Sequence, residues 1–228
     1  MSIQELLRKS KPIVLDVNDT KAILNGQKTQ IRIPIKIDKH AIEDAFIRAI
    51  DTKEGVVDFG HLGYMNDYDV GFSVNIPFLE GDILWVREQA KVVRHIGEEY
   101  PSTEIEYLCD GAKVWFDNFS ENEWEKDWLV KCKGVPNGCT KKMARIFLKI
   151  TNMRIERLQN IIPHDIYAEG IIPKNSCTLS EAEKYAKEKW INAWNRKYPI
   201  ENRWEDNPFV FVFDFERLPN ARSFQKRG

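Results

Sequence analysis

Apolar and polar positions alternate with a period of two through much of this chain, which is the pattern of half-buried strands. In KTQIRIPIKI, Ile31, Ile33, Ile35 and Ile37 fall on one face and Arg32, Pro34 and Lys36 on the other. Pro34 has no N–H to donate, so this strand is expected at a sheet edge or to break there. DILWVREQAKVV, from Asp82 to Val93, follows a Glu80-Gly81 turn signal and reads as one strand. RIFLKI places Ile146, Leu148 and Ile150 on one face, and MRIERL continues after a break at Thr151-Asn152. PFVFVFDFERL sets Phe209, Phe211, Phe213 and Phe215 against Val210, Val212, Asp214 and Glu216. Both of its faces are apolar at the start, which predicts a central, buried strand.

Helical periodicity punctuates the strands. Asp19 to Asn25 is expected as a short helix, with Asn18 as N-cap and Gly26 as its stop. Asp38 would cap a second over AIEDAFIRAI, where Ile42, Phe46 and Ile50 have helical spacing. Ser120 and Glu123 form a capping box before a third around Trp124 and Trp128. Pro163 opens a short element that Gly170 ends. A second capping box, Thr178 with Glu181, opens a helix whose inward stripe is Ala182, Ala186, Trp190, Ala193 and Trp194. Strands and helices mixed without regular alternation predict an α+β domain built on an antiparallel sheet or small barrel.

At 228 residues and 43% hydrophobic, the chain has enough material for one well-filled domain, or one carrying insertions. No apolar run approaches membrane-spanning length, and Met1 to Ser10 lacks the apolar core of a secretory signal. The expectation is a cytoplasmic protein with no membrane partner. Cys109, Cys132, Cys139 and Cys177 then read as reduced thiols. Their spacing, with four scattered histidines, lacks the paired ligands of a zinc site, so no metal or other cofactor is expected. Net charge is −1, yet charge is segregated: ten acids and two lysines lie between Glu98 and Asp127, and six bases with no acid between Lys131 and Lys149. The commoner meaning is two solvated surfaces. The functional alternative is an anion-binding edge at 131–149 making phosphate contacts.

Several segments, in order, resemble the ASCH family, whose fold is a PUA-like β-barrel. They are AILNGQKTQIR with Gly26 and Lys28-Thr29, GDILWVRE, MARIFLKITNMRIERLQNI, IIPHDIYAEGI with Glu169-Gly170, the Trp190/Trp194 helix and NPFVFVFDFERL. The likeness is greatest to larger ASCH proteins of phages and prophages, and it leaves 40–79 and 95–140 as insertions. It implies a single α+β domain over 1–228, a PUA-like antiparallel barrel with flanking helices and two insertions. If the chain is phage-encoded, its location would be the bacterial host cytoplasm.

Some small bacterial ASCH proteins are 4-acetylcytidine amidohydrolases. By resemblance, Lys28 would be the base and Glu169 the proton donor or electrostatic partner, in a cleft that binds RNA or a modified nucleoside. The nucleophile there is a threonine three residues after the lysine. Here that position is Ile31, and the nearest hydroxyl, Thr29, comes two residues early. Arg32 and Arg145 are candidates to hold phosphate or carboxylate, and Trp85 or Tyr64 to stack on a base. The same cleft suits metal-independent amide hydrolysis or ribonuclease chemistry, with Lys28 as base, Glu169 as acid and Arg32 near the phosphate. Without the resemblance, Lys28 is a surface lysine past a helix stop and Glu169 a first-turn carboxylate favoured by the helix dipole. A separate reading is a phage protein-interaction module using the acidic 98–127 stretch. Ligand identity and oligomeric state are open at this level.

Overall fold

The structure, a computed structural model, describes residues 3–37, 45–62, 69–96, 102–117, 140–172, 178–198 and 200–219. The chain is mixed α+β, with mostly strands in several sheets and few helices. It divides into two compact units, each assembled from separated segments. Among the described residues no closed barrel forms. Nor is any helix among them long and apolar enough to cross a membrane.

The first unit takes Met1–Gly26, Ile83–Lys149 and Arg217–Gly228. It contains helices α1 (Ile3–Lys9) and α2 (Val17–Leu24), and strands β1 (Lys11–Val14), β6 (Ile83–Arg87), β7 (Ala90–Ile96), β8 (Ser102–Tyr107) and β9 (Lys113–Asp117). Strand β6 lies between β1, which runs parallel to it, and the start of β10 (Phe147–Arg157), which runs antiparallel. β7, β8 and β9 form an antiparallel meander. The single strand expected over 82–93 is therefore two, broken at Glu88-Gln89. The physical reason is Glu88, which is fully buried and ion-paired to Arg145 instead of continuing the ladder. The cap of α2 is Asp16, not Asn18: its carboxylate accepts from the Asp19 amide at 2.7 Å.

The second unit takes Gln27–Asp82 and Ile150–Glu216. It contains β2 (Gln30–Pro34), a meander of β3 (Phe46–Asp51), β4 (Val56–Leu62) and β5 (Asp69–Asn75), the remainder of β10, helices α3 (Pro163–Ala168) and α4 (Leu179–Lys197), and β11 (Phe209–Arg217). β11 is central between β10 and β2, as its two apolar faces imply, and β2 is the outer strand that Pro34 requires.

Two expectations fail in this unit. Phe46 and Ile50 belong to strand β3, not to a helix, while Asp38 and Ile42 lie outside the described residues. A spacing of four puts two residues on the same side of a helix and also on the same face of a strand, so the pair did not discriminate. Thr151-Asn152 is no break: β10 runs eleven residues through it, and the two are its solvent-facing stretch.

The capping box of α4 forms as read, with the Thr178 hydroxyl accepting from the Glu181 amide and Glu181 Oε2 accepting from the Thr178 amide at 3.0 Å. Its stripe packs Ala186, Trp190 and Trp194 on Leu158, Ile166, Val210 and Val212, and Ala193 is half-buried. Trp190 stacks on Trp194 at 5.4 Å and meets Trp204 edge-on at 6.0 Å. Trp190→Ala should lower the unfolding free energy by about 3–5 kcal/mol through the cavity it leaves. Thr178→Ala, which loses only a cap, should cost about 1 kcal/mol. Urea denaturation of both variants checks the ranking.

Candidate functional site

The second unit brings together residues that the linear chain keeps far apart. Lys28 and Glu169, 141 positions distant, form an isolated antiparallel bridge. Beside it, the Thr29 amide donates to the Ala168 carbonyl at 2.8 Å. The side chains then meet: Lys28 Nζ lies 2.7 Å from Glu169 Oε2 and 3.1 Å from the Glu169 carbonyl oxygen. Lys28 is only 3% exposed, so it is not a surface lysine. Glu169 is not in a first helical turn; it is the C-cap of α3, and Gly170 at φ 91° turns the chain away behind it.

Arg32 is the centre of the network. Strand alternation puts Gln30 and Arg32 on the face opposite Ile31, and Arg32 is almost fully buried. Its Nη2 lies 2.7 Å from Glu156 and 2.8 Å from Asp165, and its Nη1 lies 3.2 Å from Glu169 and also bonds Gln30 Oε1. Burial alone would loosen its proton, but Glu169, Glu156 and Asp165 outweigh that and hold the guanidinium more firmly charged than usual. Arg154, two residues before Glu156 on β10, forms an outer ring: it contacts Glu156, Asp165 and Asp214. Gln30 joins the layers, donating to Asp214 at 2.6 Å and Asp165 at 3.3 Å.

The outer ring faces a cleft of about 610 Å³ within this unit, lined by Thr29, Gln30, Thr151, Arg154, Glu156, Asn160, Ile162, His164, Asp165, Ala168, Asp214 and Phe215. Thr29 is exposed at its edge. Lys28, Arg32 and Glu169 do not line it. They are the buried brace that joins β2 to the end of α3, and thereby set the positions of Thr29, Gln30, Asp165 and Ala168.

The other sequence candidates are elsewhere. Arg145 belongs to the first unit, where Glu88 and Asp110 clamp it at 2.9 and 2.8 Å and its guanidinium lies 3.9 Å above the Tyr107 ring. Glu88 is pushed above the ordinary carboxylate range by burial, against the pull of Arg145. Burial and the neighbouring Glu88 push the Cys109 thiol up to about 12, so it is no nucleophile near neutrality. Trp85 packs against Leu7, Ile83, Ala144 and Phe147 in the same unit. Tyr64 lies outside the described residues, as do residues 98–101 and 118–127 of the acidic stretch, with the Ser120 and Glu123 capping box, and residues 131–139 of the basic segment. Within the rest of that segment, Lys141 donates to the Arg8 carbonyl at 2.8 Å.

Sequence reading missed Arg154, Glu156, Asp165, Gln30 and Asp214. Their signals were present as polar residues at even spacing in apolar strands: Gln30 and Arg32, Arg154 and Glu156, and Asp214 as the first acid in the Phe-Val run.

Burial works to raise the Asp165 carboxyl, but Arg32, the bond from Gln30 and Arg154 together hold it below the ordinary range. A depressed carboxyl contributes its full stability above the unfolded value of about 3.9 and loses it as pH falls through the lower folded value. Asp165→Asn should therefore be less stable than wild type at pH 7, with the deficit shrinking below about pH 4. Denaturant melts at pH 7 and pH 3 measure this.

No protein-family model, curated protein or solved structure matches this chain, so the assignment of the site rests on its geometry.

Proposed function

We propose that this chain is an ASCH-type module, with the PUA-like barrel that name implies, whose second-unit cleft binds RNA or a modified nucleoside. One observation carries the reading. Two of the segments that bear the resemblance, those with Lys28-Thr29 and Glu169-Gly170, pair with each other and contribute Thr29, Gln30, Asp165 and Ala168 to one polar cleft. Its volume of about 610 Å³ suits a small organic ligand. Its mixture of carboxylates, amides, hydroxyls and a guanidinium offers both donors and acceptors to the edge of a base.

The amidohydrolase version adds that Lys28 and Glu169 act on an acyl group entering past Thr29. It asks more of the site, because both side chains are nearly covered and already bonded to each other. Hydrolysis would need the pair to open, or Thr29 to take the place of the missing family threonine.

Isothermal titration with nucleosides, 4-acetylcytidine and short single-stranded RNAs should give saturable binding that falls at least tenfold in Thr151→Trp, which fills the cleft from the exposed face of β10. Absence of binding by every probe, or equal binding by this variant, overturns the reading. Turnover of 4-acetylcytidine that disappears in Lys28→Met would establish the hydrolase; binding without turnover makes the module a reader of its ligand.

A further inference from the structure

Arg154 is the arginine that lines the second-unit cleft, and its side chain is 32% exposed. Each of its three nitrogens is held by a different carboxylate. Nε donates to Glu156 at 3.3 Å, Nη1 to Asp214 at 3.3 Å and Nη2 to Asp165 at 2.9 Å. The three acids come from β10, β11 and α3, so the guanidinium plane is fixed from three directions. This arrangement disfavours a phosphate, which would have to approach Arg154 among three carboxylates that line the same cleft. What a pinned guanidinium still offers is its flat face, which stacks on heteroaromatic rings, and its remaining N–H groups, which suit a ring carbonyl. Ile162, 54% exposed, with Ala168 and Phe215, supplies apolar surface in the same cleft.

We infer that Arg154 is the ligand-recognising side chain of the cleft: it stacks on an uncharged heteroaromatic ring, and Glu156, Asp165 and Asp214 screen out phosphate from that position. The inference rests on the nucleoside or RNA reading above and narrows it to the base. The ring has two sources, a free nucleoside or an unstacked base of single-stranded RNA, in which the phosphates stay outside the cleft.

The test is titration of the full chain with cytidine, uridine, adenosine, guanosine and 4-acetylcytidine, their 5′-monophosphates, and a short single-stranded RNA, at low and moderate salt. The best nucleoside should bind at least as tightly as its monophosphate at both salt concentrations. Arg154→Lys keeps the charge but removes the plane, and should weaken that nucleoside about tenfold or more, the scale of one stacked base. Asp214→Asn removes one screening charge, and should shift preference towards the monophosphate without abolishing nucleoside binding. Circular dichroism of both variants establishes that they are folded, and either one suffices if the other is not. RNA binding much tighter than any nucleoside, with the same Arg154→Lys loss, identifies the base of RNA as the source; equal affinities identify the free nucleoside. A monophosphate that binds more tightly than its nucleoside, or an Arg154→Lys variant that is folded and unaffected, overturns the inference and leaves the cleft as a nucleotide site. A chain that binds no probe removes the underlying reading instead.

Discussion

A guanidinium withdrawn from water has to be matched by charge and by hydrogen-bond acceptors, and Arg32 imposes that requirement on the second unit. Taking such an ion out of solvent costs several kcal/mol on the usual scale, and removing one partner of a buried pair is worse than never having built it. Arg32 is matched by Glu156 on β10, Asp165 in α3 and Glu169 at the end of α3. These elements consequently have to arrive in one register. A slip of β2 by a single residue would exchange Arg32 for an isoleucine at the centre of three carboxylates. The ionic brace thus acts as a specificity device for the strand that carries Lys28-Thr29 into position, alongside the apolar contacts that supply most of the stability.

The division of labour inside the network follows from depth. Lys28 and Arg32 are nearly inaccessible and meet carboxylates directly, whereas Arg154 is partly open: it takes the Glu156 oxygen that Arg32 leaves, shares Asp165 Oδ2 with Arg32, and reaches Asp214. An inner layer with its charges already matched gives the unit a rigid wall. The outer layer has more carboxylates than cations and faces the cleft, and on the proposed reading it is this excess of negative charge that would turn a polyanion away. Affinity for RNA, on this physics, would come from its bases and not from its backbone in this cleft.

The legible parts of the sequence were those where one local rule acted alone. The capping box at Thr178, the apolar stripe of α4, the central place of Phe209–Arg217 and the outer place of Pro34 each follow from a spacing or a missing donor. The parts that could not be read depend on partners far along the chain. Glu88 interrupts a good strand pattern because Arg145 waits 57 residues away. Phe46 and Ile50 fit two periods equally, and only pairing with β4 decides between them. Lys28 and Glu169 look like solvated surface residues in isolation, and their meeting was expected only from the resemblance.

Arg145 and Arg154 show why charge counting along the chain is a poor guide to what an arginine does. Arg145 lies in a run of bases with no acid nearby in sequence, which suggested a free cation for phosphate; in the fold it is closed off by Glu88, Asp110 and the face of Tyr107. Arg154 has an acid two residues away and attracted no notice, yet it faces the cleft with its plane held by three acids. The useful variable is the geometry of pairing. An arginine clamped by two carboxylates and covered by a ring has little left to offer, whereas one held at its edges, with part of its surface open to a cleft, is both immobilised and available. Immobilisation matters for recognition because a long, flexible side chain fixed before the ligand arrives loses less entropy when it binds.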